Sequence, residues 1–496
     1  MGYYFIGIGG SGAKAMESLA HLTAAGLMPN KEKQGGLYFM AIDPDFGNGN
    51  LNRTKAVLTC IESYQAMKAG NMTPLMKTEI KMSDPFIWSP TEQDKTLDDI
   101  MNYQVYKGNP VGKLYETLYT AKERNTMLNE GFRGRPSIGA AVMAKKVTIN
   151  MCDVNDIEDD RAWKNFVKAV EQDAKAGNVA RIFLAGSVFG GTGAAGMPTI
   201  ARLLRRLLSS VEKNKLLIGG VMILPFFAFS PSAEEQAKGQ LFASSANFLT
   251  NTKAALKYYA STENPYNAMY LIGDDVLSPV ANFSVGAANQ NNDAHIIDFY
   301  SALAAIDFYQ KESVGRNECA YISRSEENIF QWADIPDVMM EGESSSVRVK
   351  NRFAQFARFI FGYVHLVKPV LDDLAAGRES SYKYPWFHDF IEGLDVKATE
   401  VTKFNEYAES FARWLKQLES SETSRSINFI RQSAFDAEPA RVAPGQFAKI
   451  AYDEDSDVTM SELWYRLCEG DCGDKENSSG FGKFLRLLYD CCEKKN

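Results

Sequence analysis

The chain has 496 residues, long enough for two or three domains with well-buried cores. Hydrophobic residues make up 45% and charged residues 23%, ordinary values for a globular protein in water. Lys and Arg number 54 against 62 Asp and Glu, and the net charge of −8 leaves no cationic excess for a general nucleic-acid-binding role.

Residues 3–8 are too short for the apolar core of a secretory leader and run straight into glycines. Residues 216–230 are nearly uncharged but fall short of a bilayer span, and Pro225 interrupts them. The reading is therefore no membrane segment and a buried central strand. The seven cysteines form no paired Cys-x-x-Cys set and only four histidines occur, so free thiols in a reducing cytoplasm are expected rather than a structural zinc site.

Taken in order, residues 1–8 read as a strand feeding Gly7-Ile8-Gly9-Gly10-Ser11-Gly12, with a helix over 13–25. Gly7, Gly9 and Gly12 satisfy the dinucleotide spacing, whereas Ala13-Lys14-Ala15 does not fit a Walker A loop. A second strand, 37–42, ends in Asp43-Pro44-Asp45, two carboxylates at the edge where open α/β sheets bind ligands. They suit a ribose hydroxyl, water on Mg²⁺, or simply a solvated proline turn. Residues 50–130 alternate helical segments with turns and hold no catalytic constellation. Gly131-Phe132-Arg133-Gly134-Arg135 then opens another glycine turn before a helix over 140–146. Its arginines suit bidentate contact with phosphate oxygens, or pairing with acidic neighbours.

Residues 181–185 read as a buried strand, residues 199–208 as a helix, and between them lies Gly-Ser-Val-Phe-Gly-Gly-Thr-Gly-Ala-Ala-Gly at 186–196. A glycine turn between strand and helix presents backbone N–H groups to an anion, with the helix dipole behind them. Gly190, Gly191 and Gly193 allow close approach and Thr192 adds a hydroxyl; a plain turn packed under a helix is the competing reading. Beyond it come a long helix over 233–260, a strand at 269–272, the amide cluster Asn289-Gln290-Asn291-Asn292, and an almost wholly apolar helix over 294–309. The amides suit helix capping and base recognition equally. A polar excursion at 311–331 precedes Asp334-Ile335-Pro336-Asp337, and the chain after 345 turns mostly helical and aromatic-rich.

One nucleotide gripped from several strand–helix turns accounts for all three glycine loops, which a nicotinamide or flavin oxidoreductase using Gly7 to Gly12 does not. The order of strand, glycines, helix, acidic turn, Gly–Arg loop and Gly-Gly-Thr-Gly resembles the tubulin/FtsZ superfamily. Gly190-Gly191-Thr192-Gly193 is similar to its phosphate-cradling signature, Gly7 to Gly12 to its first phosphate loop, and Gly131 to Gly139 to its γ-phosphate-sensing loop. Lys14 stands where the family often has an amide, Phe189 where the signature opens on a small residue, and Ala195 where its last glycine falls.

The resemblance implies an α/β Rossmann-type GTPase domain over 1–309, ending in the central helix, and a divergent region over 310–496. It implies GTP/GDP with Mg²⁺ as cofactors, Asp43 and Asp45 near the metal, and phosphate contacts from Gly9, Gly10, Ser11, Lys14, Arg133, Gly134, Arg135 and Gly190 to Gly193. It places Asn289 and Asn292 near guanine, and makes Asp334 and Asp337 the carboxylates that polarise water in the next subunit's site. The partner implied is a second copy, head to tail, with a further protein partner through the C-terminal region left open. A nucleotide-binding scaffold without turnover is the alternative.

Overall fold

Seven parallel strands form one sheet, and the glycine turns that follow residues 8 and 187 lie at the carboxyl ends of two adjacent strands. A computed structural model describes residues 2–28, 36–66, 76–150, 161–228, 245–261, 263–274, 277–279, 288, 290–311, 313–315, 317–320, 334–335, 339–340, 347–378, 386, 388, 391–420, 463, 466–467 and 480–493. The main elements are β1 (Tyr3–Ile8), α1 (Gly9–Ala24), β2 (Leu37–Ile42), α2 (Gly49–Ala66), β3 (Ile80–Trp88), α3 (Pro136–Asn150), α4 (Arg161–Lys175), β4 (Ala180–Ser187), α5 (Thr192–Leu207), β5 (Leu216–Ile223), α6 (Phe248–Ser261), β6 (Ala268–Ile272), α7 (Ile296–Gln310) and β7 (Glu318–Ala320). They are followed by α8 (Val349–Gly362), α9 (Lys368–Ala375), α10 (Thr399–Ser420) and α11 (Gly480–Cys491). The strand order is β3-β2-β1-β4-β5-β6-β7, with every neighbouring pair parallel.

A parallel sheet covered on both faces needs strands that are apolar throughout, and β1, β4 and β5 are buried at every position. The period-two alternation sends Tyr3, Phe5, Phe39 and Phe183 into one layer with α1, α2 and α7. Tyr4, Ile6, Ile8, Ile182 and Leu184 face the other layer, built on α3, α4 and α5. The helix α7 is buried all round: Arg181 donates from Nη1 to the Phe308 carbonyl (2.9 Å) and Tyr309 donates to the Tyr4 carbonyl (2.8 Å). No helix among the described residues is long and apolar enough to cross a membrane.

Two helices begin earlier than their apolar spacing predicts. α1 starts at Gly9 and α5 at Thr192, so the glycines form the first helical turns instead of a loop ahead of them. Two strands are absent from the sequence reading, β3 and β7. β3 carries Lys81, Ser83, Asp84 and Pro85, a composition tolerated at a sheet edge, and β7 sits inside the polar excursion. The expected helix over 233–260 is described only from Phe248.

The helices after 345 pack onto the α1 layer. Trp414 of α10 donates from Nε1 to Ser18 Oγ (3.1 Å), and Arg352 of α8 donates to the Gly26 carbonyl (3.0 Å). Beside Ser18, His21 is fully buried against Trp414, Phe411 and Tyr407, with ring centroids 4.9, 5.3 and 5.7 Å away. Burial, reinforced by the positive charges of Arg413 and Arg53, pushes its imidazole down to about 3. The neutral ring is thus the folded form, and protonation favours unfolding. Stability held above pH 6.5 is lost as pH falls from there toward 3. Between pH 7.5 and 5 the His21 contribution is a loss of about 2 kcal/mol. Urea denaturation at the two pH values should show a smaller loss in His21→Phe than in wild type.

Candidate functional site

The three glycine turns meet at the carboxyl edge of β1 and β4. Gly9 takes φ +73°, and a Cβ there would lie 3.4 Å from Thr192 Cβ and 3.6 Å from the Gly193 amide nitrogen. A Cβ on Gly131, itself at φ +81°, would lie 3.8 Å from Thr192 Oγ1. A Cβ on Gly191 would come within 2.9 Å of Phe132 Cβ and 3.2 Å of the Gly134 nitrogen. First loop, arginine loop and Gly-Gly-Thr-Gly turn therefore share one backbone-lined corner.

Two helix N-termini open onto that corner. Neither Ile8, the N-cap of α1, nor Gly191, the N-cap of α5, accepts a hydrogen bond through a side chain. The leading N–H groups of each helix lack an intrahelical acceptor, and the dipole adds positive potential, so an anion is the matching ligand. Ser11, half-buried, sits in the first turn of α1. Gly190 is packed close to Ser187, whose Oγ would lie 2.9 Å from an added Cβ.

The charged residues singled out from the sequence fall into different settings. Lys14 is buried, with its Nζ 3.1 Å from Asp298 of α7 and donating to the Asp293 carbonyl at 3.3 Å. Arg133, at φ +48°, pairs with Glu130 (2.6 Å), and Arg135 lies 3.8 Å from Glu123. Both arginine pairs hold guanidinium groups in the loop that touches Thr192 and Gly191.

Asp43 and Asp45 are both buried, at 3% and 4% exposure. Asp43 Oδ1 accepts from the Asp45 N–H (3.0 Å), and Asp45 Oδ1 accepts from the Gly47 N–H (3.0 Å). Burial, with the Asp45 charge adding to it, pushes the Asp43 carboxyl up to about 8, against the pull of the Asp45 N–H. A buried carboxylate pair held this way suits a cation. No group of three or more metal-capable side chains occurs among the described residues, so phosphate oxygens and water would have to complete the shell, as Mg²⁺ prefers.

A second wall is made of amides that sequence reasoning largely missed. Asn48 and Asn50 are each 2% exposed and face Gly10, where an added Cβ would lie 3.5 and 3.2 Å from their side-chain nitrogens. Asn48 donates to Gln290 Oε1 (2.7 Å), and the Asn292 N–H donates to Asn50 Oδ1 (2.9 Å). Arg53 donates to the Asn292 carbonyl (2.9 Å) and pairs with Glu17 (2.8 Å), tying the amide segment to α1 and α2. The available signal was the run Asp43-Pro-Asp-Phe-Gly-Asn-Gly-Asn50, whose polar side chains recur in a turn. Asn289 lies outside the described residues.

Phe189 does not obstruct the corner. Its ring turns inward against Phe248 (4.5 Å) and Phe227 (5.5 Å) and is 2% exposed. Asn251 was also missed, because an exposed-looking amide on a helix carries no pattern. Its Nδ2 donates to the Phe189 carbonyl (3.0 Å) and to the Gly134 carbonyl (3.5 Å).

Asp334 lies beside the first half of α7, where its backbone carbonyl accepts from the Tyr300 hydroxyl (2.7 Å), and it is 8% exposed. Asp337 lies outside the described residues.

The sequence profile of the family described as tubulin-like matches residues 4–278. Among solved structures, the chain is similar to CetZ from Methanosaeta thermophila at 14% identity and a TM-score of 0.25, over 61% of this chain and 52% of that one. The match thus spans about half of that protein's length. No curated protein matches.

The glycines divide by what surrounds them. A Cβ on Gly12 would lie 2.4 Å from the Ala185 carbonyl, and one on Gly193 would lie 2.5 Å from the Ser187 carbonyl. Gly12→Ala and Gly193→Ala should each cost about 1–3 kcal/mol of stability. Gly10→Ala meets only side-chain amides, and its stability should stay within about 0.5 kcal/mol of wild type. Denaturant titration of the three variants distinguishes packing glycines from one that leaves room for a ligand.

Proposed function

The chain belongs to the tubulin-like family, and from that premise we propose that it binds a guanine nucleotide with Mg²⁺ and assembles head to tail with copies of itself. The observation that carries the reading is the meeting of Gly9, Gly131 and Gly191 around Thr192, beneath two helix N-termini without side-chain caps. Gly9, Gly10, Ser11 and Gly190 to Gly193 line the phosphates with backbone N–H groups. Arg133, Gly134 and Arg135 close the side toward the terminal phosphate. Asp43 and Asp45 hold the magnesium ion through its water, and the ion offsets charge on the phosphates. Asn292, within the lattice of Asn48 and Asn50, is assigned to the base together with Asn289, which precedes it in the same amide run. The setting proposed is cytoplasmic, in keeping with the thiols of Cys60, Cys319 and Cys492, which form no disulfide.

Hydrolysis is assigned to Asp334 and Asp337, which would orient water in a neighbouring subunit's site. A second reading, a scaffold that binds nucleotide without turning it over, draws support from two observations. Lys14 is committed to Asp298, and Asp334 is buried beside Tyr300 on the first half of α7.

Sedimentation and electron microscopy with GTP, GDP, ATP or no nucleotide, with phosphate release measured alongside, test the proposal. Filaments with GTP but not ATP are the expected outcome; nucleotide-independent behaviour would end it. Asp334→Ala should abolish phosphate release and leave binding intact, whereas filaments formed by wild type without phosphate release select the scaffold. Asp43→Asn keeps the oxygen that accepts the Asp45 N–H and removes a buried charge. It should therefore raise the melting temperature of the nucleotide-free protein at pH 8.5 while removing the magnesium dependence of GTP affinity, both readable by thermal shift.

A further inference from the structure

We propose that Asn251 is a positioning residue that sets the arginine loop against the Gly-Gly-Thr-Gly turn and thereby favours a nucleoside triphosphate over the diphosphate. The inference rests on the guanine-nucleotide reading above and adds a residue that no phosphate-binding motif contains.

One side-chain amide holds both loops. Asn251 Nδ2 reaches the Phe189 carbonyl at 3.0 Å and the Gly134 carbonyl at 3.5 Å. These two carbonyls come from segments already in contact, since Gly191 is packed on Phe132 and on the Gly134 nitrogen. The first turn of α6 is fixed in turn by the Phe248 ring on Phe189. Only a donor serves at this position, because both partners are acceptors.

The peptide plane turns that contact into function. A trans peptide points its carbonyl and the following N–H in opposite directions. Drawing the Phe189 carbonyl toward Asn251 aims the Gly190 N–H away from α6. At Gly134, which has φ +70°, the same amide restrains a loop with three left-handed residues, Gly131, Arg133 and Gly134. Such backbone is under strain at Arg133 and relaxes unless its surroundings hold it. With the loop released, Arg133 and the Gly131–Thr192 contact no longer face a terminal phosphate in a fixed geometry. The inner phosphates, held by the first turns of α1 and α5, are unaffected.

The test uses the full chain with Asn251→Asp, which sets a carboxylate against two carbonyls, and Asn251→Gln, which keeps the donor. Hydrogen exchange on nucleotide-free protein reads the staple directly: amides of 131–135 and 189–191 should exchange about tenfold faster in the Asp variant, and nearer wild type in the Gln variant. Calorimetry with a non-hydrolysable guanosine triphosphate analogue and with GDP reads its consequence. Affinity for the triphosphate should fall roughly tenfold or more, and affinity for GDP should change less than about twofold. Unchanged exchange, or equal loss for both nucleotides, would overturn the proposal. If wild type binds neither nucleotide, the guanine-nucleotide reading fails and the triphosphate preference fails with it, while the exchange comparison still decides whether Asn251 staples the loops.

Discussion

The contact on which the rest of this structure depends is the approach of the Gly9 backbone to Thr192 and Gly193. Two adjacent parallel strands, β1 and β4, each end in a helix, and the helices start on the strand ends only where a residue can take φ +73°, as at Gly9, or pack against the Ala185 and Ser187 carbonyls without a Cβ. Gly9, Gly12 and Gly193 meet that condition, at the cost of weak helix propensity in both first turns. The helices begin on these residues even so, because burial of α1 and α5 against the sheet outweighs local preference. Two dipoles then converge without side-chain caps, which leaves an electropositive, backbone-lined corner suited to phosphate.

Around that corner the chain spends charge and amides on holding its own loops. Lys14 and Asp298 form a buried pair joining α1 to α7, and burial raises the Asp298 carboxyl while Lys14 pulls it back. Such a pair is weak evidence for stability, but removing one partner leaves the other uncompensated. The amide lattice of Asn48, Asn50, Gln290 and Asn292 joins the β2–α2 turn to the segment before α7. On the far side of α1, His21 and Ser18 receive α10. One helix therefore carries the first glycine loop at its start and the C-terminal helices along its flank.

Much of this was legible in the sequence, and the limits have physical causes. Apolar runs in a parallel sheet mark β1, β2, β4 and β5, and glycine turns after them mark the corner. β3 escaped notice because an edge strand tolerates Lys81, Asp84 and Pro85, which read as turn and helix. The glycines read as loops because spacing rules start helices at the first apolar residue, not at the first free N–H. The pairing of Lys14 with Asp298, 284 positions further along the chain, is out of reach of any local pattern. Asn48, Asn50 and Asn251 carry no motif, and their roles exist only once distant backbone is brought beside them.

Calorimetric titration of GTP into the full chain in the presence of Mg²⁺, with ATP and NAD as parallel ligands, tests the central claim most directly. The account predicts saturable binding of one GTP per chain, weaker or absent binding of the other two, and loss of binding in Gly10→Ala without loss of fold. Binding of NAD in preference to GTP, or no nucleotide binding by a folded chain, would contradict it.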